Sequence, residues 1–366
     1  MTRTSPRWRW LVAMMLVLGV FAAACGSDSD TSSTDDTSGG SGSSTELPAA
    51  EITGSGSTFQ AAYNNEVIQA FKSVQPNVTV IYPPTNSGGS GKGQTDLQGE
   101  LVQFAGSDGV PKEEELPLYQ GGDLLYFPTV AAPITVSYNV SGVDELKLDG
   151  DTIAKIFQGQ ITKWNDAAIA DLNSGVDLPD ADIVAVHRSE SSGTTANFTK
   201  FLTLAAPNTW TLGTDKTIAW TGGQAAEGNG GVTNAVKSTP NSIGYIDYSD
   251  AKAGGLSFAS IKNKDGKFVK ASTESASAAV AGATINPDLS YDPIFDPGAD
   301  SYAITSPTYI VIYKNQTDAA KGNAMKAFLE YIYGDGQEIA TTIDYAPLSS
   351  ELLSKAKAQL DDIVIP

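Results

Sequence analysis

Three glycine- and serine-rich turns, each lying just before a helical pattern, constrain this chain more than any other feature. Gly54 to Phe59 (GSGSTF) opens a run in which Phe59, Ala62, Tyr63, Val67, Ala70, Phe71 and Val74 recur at helical spacing. Ser87 to Gly93 (SGGSGKG) follows the β-branched run Val78–Tyr82, and Arg188 to Thr195 (RSESSGTT) follows Ile183–Val186. A strand that leads through a tight turn into a helix is the unit of layered α/β folds, whose ligands sit at the strand carboxyl ends. Further strands are predicted over Val130–Tyr138, Ile243–Ile246 and Tyr309–Tyr313, and helices over Asp151–Phe157, Asp166–Leu172, Thr194–Leu204 and Ala319–Tyr333. Glycine permits close backbone approach, serine and threonine add hydroxyls, and the free amides and dipole of a helix start favour an anion. Three such cradles, one opening on an arginine, point to a shared oxyanion site.

The charge balance pulls the other way. With 23 Lys+Arg against 42 Asp+Glu the formal charge is −19, and the pI is near 4.3. Taken alone, this suggests a cationic ligand, and it excludes nucleic acid or an anionic membrane surface as the principal partner. One Cys excludes an intramolecular disulfide and, with one His, leaves no set for a zinc site, so neither metal nor cofactor is expected. Enzyme motifs fail one by one. A nucleotide P-loop needs glycine five residues before the Gly91-Lys92 pair and Ser or Thr after it, where the chain has Asn86 and Gly93. No serine of the body stands in a G-x-S-x-G elbow, and the single imidazole, His187, adjoins the cation of Arg188. A hydrolase is thus poorly supported.

The N-terminus reads as an address. Arg3, Arg7 and Arg9 precede the apolar run Leu11–Ala24, which makes residues 1–24 a secretory signal. Cys25 after Ala22-Ala23-Ala24 resembles the lipobox of bacterial lipoproteins, with Ala22 where leucine is usual, and implies lipidation at Cys25 and a membrane anchor. The alternative is a plain signal with an incidental cysteine. Residues 25–47 carry almost no apolar side chain and are expected to form a flexible acidic tether. The body, from about Leu47 to Pro366, is long enough for two domains.

Taken in order, Thr53–Phe59, Gly89–Gly91, Phe104–Asp108 (FAGSD), Phe127–Val130, Lys163–Asp166, Arg188–Thr195, Ile243–Tyr245 and Ile304–Ser306 resemble the periplasmic phosphate-binding protein of the high-affinity phosphate ABC transporter, across nearly the whole body. The resemblance implies the type II periplasmic-binding-protein fold, α/β with two domains and a cleft between them. The first domain would span 48–130 plus 304–366 and the second 131–303. It also implies inorganic phosphate as ligand, permease subunits as partners, a monomer, and a location on the extracellular face of the membrane. The resemblance implies binding without catalysis; a phosphate sensor or scavenger without a transporter remains an alternative, and a secreted phosphatase-like enzyme a weaker one.

Mapped residue by residue, the resemblance assigns phosphate contacts to Thr58, the Phe59 amide, Ser90, Asp108, Arg188, Ser192, Gly193 and Thr194. Ser90 stands eighteen residues before Asp108, as in the family; Ser87 is the alternative register. Glu190, where the family usually has aspartate, would hold the Arg188 fork. The planar guanidinium suits a tetrahedral oxyanion. Asp108 carries the specificity argument, because a carboxylate beside an anion needs a proton to accept. Phosphate keeps one at neutral pH, whereas sulfate, molybdate and tungstate do not.

Overall fold

The computed structural model describes residues 46–83 and 87–366; the segment read as a secretory signal, Cys25 and nearly all of the expected tether lie outside them. In chain order the strands are β1 (Ala50–Gly56), β2 (Val78–Ile81), β3 (Phe104–Ser107), β4 (Leu124–Asn139), β5 (Lys147–Leu148), β6 (Val184–Arg188), β7 (Gln224–Ala226), β8 (Ser242–Asp247), β9 (Ser257–Phe258), β10 (Ser260–Lys262), β11 (Phe268–Val269) and β12 (Thr305–Tyr313). The helices are α1 (Ala61–Val74), α2 (Gly89–Gln98), α3 (Gly150–Phe157), α4 (Ala167–Ala170), α5 (Gly193–Ala205), α6 (Gly228–Ser238), α7 (Tyr248–Ala253), α8 (Thr273–Gly282), α9 (Ala319–Ile332), α10 (Asp335–Thr342) and α11 (Ser350–Gln359).

One sheet runs β2-β1-β3-β12-β4-β8-β6-β7, with β9 added beside β4. Its two flanks are parallel: β1 pairs with β2 and β3, and β6 with β7 and β8. Between them lies an antiparallel spine. The first part of β4 pairs with β12 and its second part with β8, so a single strand belongs to both flanks. The segment LLYFPTVAAPITVSYN has no charged side chain and is buried almost throughout, as expected of a strand covered on both faces. It begins six residues before the predicted Val130, because Leu124–Pro133 has a partner of its own in β12. The register slips between Pro307 and Tyr309, where Thr129 and Thr308 share a hydroxyl–hydroxyl bond of 2.6 Å. The core follows the same spine, with Phe104, Phe127, Ile134, Tyr138, Tyr245 and Ile310 all essentially inaccessible.

Two local expectations are corrected. The second glycine cluster does not precede a helix but forms its first turn: α2 starts at Gly89, capped by Gly88 in the left-handed region at φ 87°. Only a short helix survives within Asp166–Leu172, the four residues of α4 on the Asp166 cap. The α2 glycines have a packing reason. A β-carbon at Gly93 would sit 2.6 Å from both Gly56 Cα and Ser55 O, so α2 lies directly on β1. Gly93→Val should cost about 1–3 kcal/mol by overpacking, read as a lower urea midpoint with an unchanged slope.

Candidate functional site

The chemistry-bearing residues arrive at one place from both flanks. Ser57, Thr58 and Phe59 leave the end of β1, Asp108 follows the end of β3, and Arg188 is the last residue of β6. Three helices begin there: α2 with Ser90 in its first turn, α5 on its cap Ser192, and α6 with Gly228 and Asn229. Each exceeds two turns, so amides and dipole favour negative charge at this point.

Arg188 is 3 % exposed. Its Nε donates to Glu190 Oε1 at 2.8 Å, and Nη2 also meets that oxygen. Nη1 donates to Thr194 Oγ1 at 3.1 Å, and Nη2 to Thr58 Oγ1 at 3.0 Å. Burial alone would push the Glu190 carboxyl up, but the Arg188 charge, its hydrogen bonds and the Gly228 amide hold it below its usual value. The Arg188 backbone is fixed as well: its N–H donates to Tyr245 Oη at 3.0 Å, and that hydroxyl pairs with Thr195 Oγ1 at 2.7 Å.

Asp108 is 2 % exposed and sits between two serines. Ser57 Oγ donates to Oδ1, and Ser90 Oγ donates to Oδ2 at 3.2 Å while accepting the Asp108 N–H at 3.1 Å. Burial raises the carboxyl from 3.8 to about 6 against the opposing pull of Ser57, Arg188 and Ser90. Gly193 must lack a side chain, since its β-carbon would overlap Ser90 Oγ and Asp108 Oδ2.

Thr58, Ser90, Asp108, Arg188, Glu190, Ser192, Gly193 and Thr194 are thus brought together. Phe59 is adjacent, its N–H donating to Ser57 Oγ at 3.0 Å. Of the two serine registers, Ser90 is the one touching Asp108; Ser87 is buried elsewhere, its carbonyl accepting the Gly56 N–H at 2.9 Å. His187 stacks on Trp220 at 5.1 Å, with Nδ1 3.1 Å from the Arg188 carbonyl, so that nitrogen is a donor rather than a base. Three contributors escaped sequence reasoning. Ser57 lay inside a recognised motif without a role, and Asn197, which donates to Asp108 O and Ser306 Oγ at 2.7 Å each, has no local signal. Asn229 sits in a fourth glycine turn, Gly228 to Gly231, ahead of Val232, Ala235 and Val236, and that pattern could have been found.

This arrangement, hydroxyls, amides and one guanidinium around a buried carboxylate, on a sheet with two parallel flanks, defines a binding protein of the periplasmic two-domain class. Residues 31–336 match a PBP superfamily domain. The chain is 36% identical over 356 residues to the phosphate-binding protein PstS 3 of Mycobacterium leprae, covering 93% of this chain and 95% of that protein. It is also 36% identical over 317 residues to the phosphate-binding protein PstS of Pasteurella multocida, covering 85% and 90%. The solved structure of the high-affinity periplasmic phosphate-binding protein PfluDING bound with phosphate shares the fold, with a TM-score of 0.69 at 24% identity over 85% of this chain and 94% of that one. The chain belongs to the PstS family of phosphate-binding proteins.

The buried carboxylate leaves a signature in stability. Its raised pKa means the folded state holds the proton more tightly than the unfolded chain. Its contribution is therefore most favourable below about pH 4 and is lost as pH rises through about 6. In phosphate-free buffer Asp108→Asn should gain up to about 3 kcal/mol on wild type at pH 8 and show no such gain at pH 4, by urea unfolding.

Proposed function

We propose that this protein captures inorganic phosphate from outside the cell and delivers it to an ABC transporter permease for import. The observation that carries the reading is Asp108, a buried acceptor among donors. An oxyanion that keeps a proton can donate to it, whereas a fully deprotonated one meets an uncompensated carboxylate in a desolvated site. The residues assigned to the ligand are Thr58, the Phe59 amide, Ser90, Asp108, Arg188, Ser192, Gly193 and Thr194, with Glu190 in support. Binding without turnover agrees with the binding-protein names of the relatives and with His187 facing a carbonyl.

The two domains are 48–130 plus 304–366 and 131–303, and the crossings between them lie in β4 and at β12. Several contacts span that division: Gly91 N–H to Ser191 O at 3.1 Å, Lys112 to Asp215 at 2.7 Å, and Lys216 to Glu115 at 3.0 Å. The last pair is mostly buried, with the Lys216 side chain only 16% exposed. Closure around phosphate forms these bonds, and the permease reads the closed surface. Cys25 carries the lipid that holds the monomer at the extracellular face of the membrane, with residues 25–47 as tether.

Titration calorimetry of the purified chain with phosphate, arsenate and sulfate tests the reading. Heat is expected from phosphate and not from sulfate; the reverse defeats it. Asp108→Asn should narrow the preference for phosphate over sulfate. Lys216→Met should speed phosphate release about 5- to 10-fold in stopped flow, as expected for loss of about 1 kcal/mol in a partly buried ion pair.

A further inference from the structure

Asn229 is fully buried at the start of α6, and it reaches both threonines of the site. Its amide orientation is dictated by a backbone group. Oδ1 lies 3.2 Å from the Asp247 N–H, which can only donate, so Nδ2 must face the other way. On that side it meets Thr58 Oγ1 at 3.2 Å and Thr194 Oγ1 at 3.3 Å, one hydrogen for each. The Asn229 backbone N–H also points at Thr58 Oγ1, at 3.3 Å.

A hydroxyl has two lone pairs and one proton. Thr58 Oγ1 receives donors from Arg188 Nη2 and from two nitrogens of Asn229, and Thr194 Oγ1 receives Arg188 Nη1 and Asn229 Nδ2. With their acceptor capacity filled by nitrogen donors, both hydroxyls have only their protons left to offer. We propose that Asn229 is a positioning residue that sets Thr58 and Thr194 as obligate donors to the bound oxyanion, without touching it. This deepens the phosphate reading above and rests on it. Arg188 fills one lone pair on each threonine; on Thr58 the backbone N–H of residue 229 can take the second, whereas on Thr194 it is Asn229 Nδ2 that does so, and without it the Thr194 proton can be traded with any other acceptor. Asn229 closes that freedom from the second domain, and through Thr58 it does so across the cleft.

The test is phosphate calorimetry on the full chain with Asn229→Asp and Asn229→Ala, each checked by thermal melting. A carboxylate at this place, isosteric with the amide, would accept the two hydroxyl protons and turn them from the ligand. Asn229→Asp is therefore expected to lose about 100-fold or more in affinity, the worth of two hydrogen bonds to a charged group, while Asn229→Ala, with Arg188 still in place, loses less than about 10-fold. A merely structural role predicts the opposite order, because aspartate conserves the packing; equal losses, or a greater loss in Asn229→Ala, overturn the proposal. Charge repulsion alone is separated by a cycle with Thr194→Val. The Asn229→Asp penalty must shrink when that hydroxyl is absent, and an unchanged penalty also overturns it. Should Asn229→Asp melt more than about 10 °C early, the cycle is run with Asn229→Ala, where zero coupling to Thr194→Val counts against the proposal. If wild type itself gives no phosphate heat, the phosphate reading fails and takes this inference with it; if wild type binds and the order of the variants is reversed, only the inference fails.

Discussion

The buried guanidinium of Arg188 is the interaction on which the site depends. A cation taken out of water is costly unless each of its N–H groups finds an acceptor. Here the acceptors come from two separate stretches of chain: Glu190 and Thr194 in the segment that follows Arg188 into α5, and Thr58 at the end of β1. Satisfying one side chain thus draws the two flanks of the sheet together at the point where their strands end. Tyr245 on β8 completes the arrangement by holding the Arg188 backbone, and its stacking on Phe198 at 4.4 Å ties that hydroxyl to the core of the second flank.

The local field around Arg188 also resolves the conflict between an acidic chain and an anionic ligand. Without Arg3, Arg7 and Arg9 the chain is more acidic still, at −22 rather than −19. Glu190 offsets the one guanidinium, and Asp108 adds a carboxylate whose raised pKa reflects the burial it must tolerate. Formal charge therefore does not attract the ligand. Helix starts, amides and oriented hydroxyls do so, acting over a few ångströms in a place from which water is largely excluded. Net charge is a property of the solvated surface, and that is why composition alone suggests the wrong sign of partner.

What was legible in the sequence follows from the range of the interactions. The strand–turn–helix units are local, and so the predicted Val78–Tyr82, Ile183–Val186 and Ile243–Ile246 appear as β2, β6 and β8 within two residues. The clusters opening on Thr58 and Arg188 are legible for the same reason. The length of β4 was not, because its first residues are strand only by virtue of β12, about 180 residues away. Ser57 escaped because its partner is Asp108, and Asn229 because its partners are Thr58, Thr194 and the Asp247 amide. A side chain whose role is to hold another side chain has no motif of its own.

The spine gives the separation of the flanks a mechanical meaning. β4 and β12 are antiparallel and continuous, so the β1–β3 flank and the β6–β8 flank can reorient only by bending strands, not by sliding past one another. The register slip between Pro307 and Tyr309 places a bulge at this juncture, and a bulge is where a ladder twists and bends most easily. Pro128, Pro133 and Pro307 cluster around the same stretch and contribute no N–H to the ladder, which thins the hydrogen bonding that would resist bending. Thr129 and Thr308 pair there side chain to side chain, so the two strands stay tied where the regular ladder slips. The bulge in the sheet thus coincides with the division between the proposed domains, while the residues proposed to hold the ligand sit at the strand ends, where a small change of angle gives a large change of separation.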